Sequence, residues 1–405
     1  MNHNNVSRRD FMKVMGVAGA GSALGAGRAA AQDKAPAPPA AVGKVPTRPF
    51  GKTGVKVPIL ALGGIFDIST NQLTLQRALD LGVNYWDTAH VYVNGNSELG
   101  IGMYFEKHPE ARKNVFLVTK AGGSPTPDGL TKMLELSFQR LKTDYVDLFF
   151  LHGIRDGGAL TDEVKNWAEK AKAANKIRFF GFSTHDNMAD CLQAGAKAGW
   201  IDAVMPKCDF RQMNTDEMRA ALDACAKAGV GITAMKTQGR GSFNLESEAD
   251  LKLGGHFMKS GFTQQQAKIK AIWENQQISS VCSAMYNVTV LSANAAAAMD
   301  KTKLSAADHD ALRQYAAETR GRHCAGCTRL CESALGNQVP IGNLMRSLMY
   351  HHGYGDTRLA KEVYEQVPEG VRARLVSTDY AAAERVCPHA LPIAQMVREA
   401  VELLG

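Results

Sequence analysis

What this 405-residue sequence lacks narrows its reading first. No run of Lys and Arg is interleaved with aromatic residues, and the formal charge is only +7, so the electrostatic footprint of a nucleic-acid binder is missing. After residue 31 no stretch stays apolar for the ~20 residues of a membrane-spanning helix, so no stable span is expected. No Gly-x-Gly-x-x-Gly follows the first apolar run, which removes the fingerprint of a doubly wound dinucleotide fold. What remains, 45% hydrophobic and 21% charged residues, is the composition of a globular protein. The length accommodates one barrel of roughly 250 residues with a smaller unit behind it.

The amino terminus stands apart. Residues 1–31 hold +3 of the formal charge, from Arg8, Arg9, Lys13 and Arg28 against Asp10. Ser7-Arg8-Arg9-Asp10-Phe11-Met12-Lys13 resembles the twin-arginine export motif. The Gly/Ala-rich stretch Val14–Gly27 is too short to cross a membrane, and Ala29-Ala30-Ala31 suits cleavage before Gln32. The resemblance implies the twin-arginine machinery as an export partner and the periplasm as destination. That route carries folded proteins, which suits a chain with an inserted cofactor. Residues 32–46 read as a flexible leader, and the proline-rich stretch that gives this look, with Pro36, Pro38, Pro39, Pro46 and Pro49, runs on to residue 49.

From Pro58 onward, short apolar runs alternate with amphipathic stretches of helical length. Runs such as Val115–Thr119, Tyr145–Leu151, Ile177–Phe182 and Gly231–Met235 are apolar on both faces, as strands of a covered parallel sheet are. Helical segments such as Asp128–Leu141, Thr215–Ala228 and Thr263–Glu274 separate them. Eight repeats predict an α/β chain closed as a (β/α)8 TIM barrel over residues 47–304. After Leu304 only helices are expected: Ala306–Glu318, Ile341–Tyr350, Arg358–Val367 and Pro392–Leu404. Residues 305–405 therefore read as a small all-α domain.

Three barrel strands run into a polar residue: Asn84-Tyr85-Trp86 into Asp87, Val115–Thr119 into Lys120, and Asp147–Leu151 into His152. All three ends belong on the carboxyl-terminal face, where such barrels carry their chemistry, and Tyr92 follows Asp87 closely enough to lean over the same opening. Reducing a carbonyl needs a hydride on one side and a proton on the other. A tyrosine gives that proton if a cation stabilises its phenolate, so Tyr92 is the candidate acid/base. Lys120 is the cation, Asp87 keeps it charged, and His152 orients the carbonyl oxygen. Each residue alone is more often a solvated strand end or packing; four in one register are not.

With Gly51–Val55, Asp87–Tyr92, Glu98-Leu99-Gly100 and Ile177–His185, these residues make the chain resemble the aldo/keto reductases over roughly 47–300. The family's Asp, Tyr, Lys and His tetrad falls on Asp87, Tyr92, Lys120 and His152. The resemblance implies a small carbonyl or alcohol substrate and NAD(P), with the nicotinamide amide near Ser183 and Thr184, where the family has Ser-Asn. It puts Met205 and Cys208 beside the nicotinamide, and Ala284, Tyr286, Val290, Ala293 and Asn294 around the adenosine. No Lys or Arg stands between Glu274 and Asp300 to clamp a 2′-phosphate. The Gly-rich loop 236–262, with Arg240, Phe243 and His256, reads as a lid over the site.

Eight cysteines fall into two groups. Cys191, Cys208, Cys225 and Cys282 read as buried small hydrophobes. Cys324-x-x-Cys327-x-x-x-Cys331 and the remote Cys387-Pro388 read as ligands. Disulfides are the alternative in an exported protein, but three thiols within eight residues leave one unpaired. Zinc accepts four thiolates, and so does a [4Fe–4S] cluster, for which a close triplet plus a remote Cys-Pro is a known pattern. The segment resembles the α-helical ferredoxin modules appended to some aldo/keto reductases. That resemblance implies one [4Fe–4S] cluster on Cys324, Cys327, Cys331 and Cys387 and a redox partner; His323, beside the first of them, reads as a surface residue or one packed behind the ligands rather than a fifth ligand. The alternative to an enzyme is an electron-transfer or binding protein whose barrel no longer catalyses.

Overall fold

The computed structural model describes residues 43–122, 126–238 and 247–405. The expected signal segment, the leader up to Val42, Arg240 and Phe243 lie outside the described residues. Gly43–Gly405 form one compact unit.

A short antiparallel hairpin, β1 (Thr47–Pro49) and β2 (Lys56–Pro58), comes first. Eight parallel strands then close on themselves: β3 (Leu60–Gly63), β4 (Tyr85–Asp87), β5 (Phe116–Ala121), β6 (Val146–Leu151), β7 (Ile177–Thr184), β8 (Ala203–Pro206), β9 (Gly231–Met235) and β10 (Ser280–Ala284). Each neighbours the next in sequence, and β10 returns to β3. The barrel expected from the alternation is present. The hairpin is new. Pro46 and Pro49 made its first strand look like leader, yet β1 pairs with β2, and Phe50 and Val57 sink into the barrel interior beside Tyr85, Phe116 and Phe150.

The helices start where their caps dictate. Thr126, Thr161 and Thr215 each accept a backbone N–H of the first turn that follows. Ser247, Thr263 and Ser305 form reciprocal capping boxes with Asp250, Gln266 and Asp308. The first of these overturns part of the lid expected at 236–262, because Glu248–Lys259 is a helix. His256, on that helix, is held 2.7 Å from Asp308 and does not line the barrel mouth.

All described elements after β10 are helical, but they do not share one core. Ala306–Glu318 joins the barrel's hydrophobic layer through Leu312 and Tyr315. A second core starts at Val339 and gathers Ile341, Leu344, Leu348, Val363, Met396 and Val397. Its helices are Ile341–Leu348, Thr357–Glu365 and Ile393–Leu404, each with one apolar face. The helix expected to run to Tyr350 widens into a π turn over Met349–Gly353.

Candidate functional site at the barrel mouth and the cysteine cavity

Strand geometry brings Asp87, Lys120 and His152 to the same rim, since Asp87 ends β4, Lys120 is the penultimate residue of β5 and His152 follows β6. Lys120, 1% exposed, donates to Asp87 Oδ2 at 2.6 Å, to the Thr88 carbonyl at 2.8 Å and to Tyr92 Oη at 3.3 Å. The Tyr92 and His152 rings meet edge to face with centroids 5.7 Å apart. The four residues singled out in the sequence therefore converge.

The loop carrying Tyr92 is fixed from below. Glu98, fully buried, accepts from Thr119 Oγ1 at 2.6 Å and lies 3.4 Å from Arg140 Nη1. Arg140 also donates to the His90 carbonyl at 2.8 Å. Gly95 must be glycine here: its φ is +92°, and a Cβ would sit 2.5 Å from the Arg140 guanidinium. Directly after Tyr92, Val93 and Asn94 hold left-handed conformations, which a β-branched valine rarely adopts. Strain of this kind persists only where the surroundings enforce it.

Electrostatics assigns the protons. Burial, then the charge of Asp87, pushes the Tyr92 phenol well above the usual tyrosine value, so it is a proton donor at neutral pH. Burial, then the charges of Lys120, His90, Arg346 and Lys236, pushes His152 well below the usual histidine value, so its imidazole is neutral. Asp87 is raised by burial against the pull of Lys120 and of the Cys282 thiol beside it.

A cavity of about 470 Å³ opens over Tyr92 and Asp87. Its walls include Met205 and all five residues expected around an adenosine: Ala284, Tyr286, Val290, Ala293 and Asn294. The other nucleotide candidates are placed differently. Ser183 Oγ accepts from Gly153 N at 3.0 Å, and Thr184 Oγ1 donates to the Asp186 carbonyl at 2.7 Å. Cys208 is fully buried, like Cys191 and Cys225, but Cys282 lines the cavity beside Asp87 and is no mere core residue. Sequence reasoning missed Lys236, Tyr350 and Tyr354, which roof this cavity; Lys236, directly after β9, had the same strand-end signal as Lys120.

The four carboxyl-terminal cysteines line one further cavity with Ile341, Met345 and Leu391. All four are free thiols, so no disulfide joins them. Burial and the neighbouring Cys324 and Cys387 push the Cys327 thiol up to about 11. Among the described residues, no three metal-ligating side chains converge on a point that one ion could occupy. His323, 2% exposed, lies 3.1 Å from Asp209 and is neither surface nor part of this lining.

The pattern described as the aldo/keto reductase family matches residues 62–315, and that of the twin-arginine translocation signal matches residues 5–25. The chain is 28% identical over 217 residues to an aldo-keto reductase of Schizosaccharomyces pombe whose name carries NADP(+), covering 49% of this chain and 62% of that relative. It likewise spans 62% of the length of two aldo-keto reductases of Alternaria alternata. L-galactose dehydrogenase of Arabidopsis thaliana is 23% identical over 289 residues, 64% of this chain and 90% of the relative. Among solved structures, the holo form of an aldo-keto reductase from Bacillus halodurans superposes with a TM-score of 0.56 at 20% identity, over 67% of this chain and 96% of that one. One from Klebsiella pneumoniae in complex with NADPH superposes with a TM-score of 0.55 at 22% identity, over 67% and 93%.

Proposed function

Because this chain belongs to the aldo/keto reductase family, we propose that it is an exported oxidoreductase interconverting a small carbonyl compound and its alcohol, with Tyr92 as the acid/base. The observation that carries this is Lys120 Nζ touching both Asp87 and Tyr92 Oη. A nicotinamide dinucleotide, NAD(P)(H), supplies the hydride when bound along the cavity. The cavity's length from Tyr92 to Asn294 and its mixed polar and apolar walls fit such a ligand.

In reduction, the protonated Tyr92 gives its phenolic proton to the oxygen that becomes the alcohol. The phenolate left behind faces the Lys120 ammonium, which Asp87 keeps charged in a buried place. Neutral His152 donates a ring N–H to the same oxygen and shares its developing charge. Oxidation of the alcohol reverses these transfers.

The donor set of Cys324, Cys327, Cys331 and Cys387 around one apolar cavity fits a [4Fe–4S] cluster. Such a cluster would supply one-electron redox capacity to a partner protein or tie the segment together. The twin-arginine signal supports delivery of the folded, loaded protein to the periplasm.

Tyr92→Phe tests the main reading. Its turnover should fall by about two to four orders of magnitude with nucleotide binding retained. Unchanged turnover with every carbonyl tried removes Tyr92 from the chemistry. Anaerobic absorbance with iron and sulfide analysis tests the cysteine site.

A further inference from the structure

The wall of the same cavity holds a second lysine with no counter-ion among the described residues. Lys236 is the basic side chain on the cavity wall among the described residues, and none of their carboxylates lies within ion-pair distance of it. The two acids on that wall are committed elsewhere. Asp87 is paired with Lys120, while Asp356 caps Thr357–Glu365 and lies 3.9 Å from Arg358.

What holds Lys236 is aromatic. Its ammonium sits 4.7 Å from the Tyr350 ring centre and 5.3 Å from that of Tyr354. Cation–π contact steadies a charge without neutralising it, so the ammonium stays available to an anion. Two backbone features are spent on this arrangement. Lys236 itself adopts φ +58°, and the π turn over Met349–Gly353 carries Tyr350. Burial would pull the lysine down, but the two phenols hold it above its usual value, so it is charged.

We propose that Lys236, roofed by Tyr350 and Tyr354, is the specificity residue that receives an anionic oxygen group, and that the group is a carboxylate on the carbonyl substrate. This deepens the reading of Tyr92 as acid/base and rests on it. Two observations favour the substrate over the dinucleotide as the source of the anion. Lys236 lines the same cavity as Tyr92 and Asp87, the reacting end, and its charge reaches Asp87 and His152. One cation also balances one carboxylate, whereas a pyrophosphate brings two charges.

The test compares phenylglyoxylate with its methyl ester, which presents the same ketone without the charge. Rates and calorimetric binding are measured for the full mature chain, Lys236→Gln and Lys236→Arg. Lys236→Gln should lower kcat/KM for the acid about thirtyfold, the worth of a hydrogen bond between charged groups, and move the ester by less than about threefold. Lys236→Arg should recover most of the loss, which separates lost charge from lost folding. Equal losses for acid and ester overturn the proposal. So does weaker NADH or NADPH binding with an unchanged acid-to-ester ratio, which assigns Lys236 to the dinucleotide. If neither compound turns over, the reductase reading is what has failed, and calorimetry still decides the role of Lys236. Acid binding weakened by Lys236→Gln supports it; absent or equal binding overturns it.

Discussion

Gly326, between Cys324 and Cys327, lies so close to His185 that a Cβ on it would stand 2.3 Å from the His185 carbonyl oxygen. His185 directly follows β7 at the barrel mouth, so the cysteine loop is seated on the end of a barrel strand. The Gly326 carbonyl accepts from Asn187 N at 2.7 Å, and Arg155 grips Glu332 with contacts of 2.7 Å to both carboxylate oxygens. The two cores are thus joined at the carboxyl-terminal rim of the barrel.

Gly326→Ala should therefore undo this seat. Its φ of +80° is strained for alanine, and the clash is with backbone, which cannot swing aside. A loss of about 2 kcal/mol or more is expected. Denaturant melts should show it, together with lower iron content. A variant as stable and as iron-rich as the parent would mean the contact is loose in solution.

How much of this was legible in the sequence depends on how local each signal is. Val146–Leu151 is apolar on both faces, and Thr161 or Thr215 opens a helix with acids behind it, so strands and helix starts are written in adjacent residues. Asp87, Lys120 and His152 were readable because a strand end fixes the direction of its last side chain. Lys236 carried the same signal, but its pairing with Tyr350 was not readable, because the two stand 114 positions apart and meet only after the carboxyl-terminal helices dock. The first strand of the hairpin was hidden for another reason: its prolines imitate a linker, and only pairing with Lys56–Pro58 and burial of Phe50 reveal it. Nor does the sequence show that the Thr184 hydroxyl closes its own turn on the Asp186 carbonyl.

Arg140→Met should loosen the Tyr92 loop. It strips a partner from the buried Glu98 carboxylate and a donor from the His90 carbonyl. Because Arg140 is itself 22% exposed, the expected cost is about 2 kcal/mol, below that of a fully buried pair. Turnover should fall about tenfold through misplacement of Tyr92. A melting change with unaltered turnover would show that the loop is held by other contacts.

Cys387→Ala should abolish cluster loading without unfolding the barrel. The remote thiol follows Ala381–Val386 and faces the cavity lined by the other three. Its loss leaves three thiols, one fewer than a [4Fe–4S] cluster takes. Iron and sulfide per chain should drop severalfold, while far-ultraviolet dichroism and nucleotide binding persist. Full iron retention would exclude Cys387 as a ligand.

His152 sets a direction for stability against pH. Its imidazole is surrounded by Lys120, His90, Arg346 and Lys236, and burial with these charges holds it neutral well below the usual histidine value. An unfolded chain takes up that proton near pH 6.5, whereas the folded one refuses it until well below. Across that interval the unfolded state binds more protons, so stability rises with pH and is lost as pH falls below about 6.5. His152→Asn keeps a hydrogen-bonding side chain without the titration, so its melting temperature should decline less steeply between about pH 6.5 and 5 than that of the parent. Parallel curves for the two proteins would place the acid sensitivity elsewhere and would mean that His152 accepts a proton in the folded state as readily as in water.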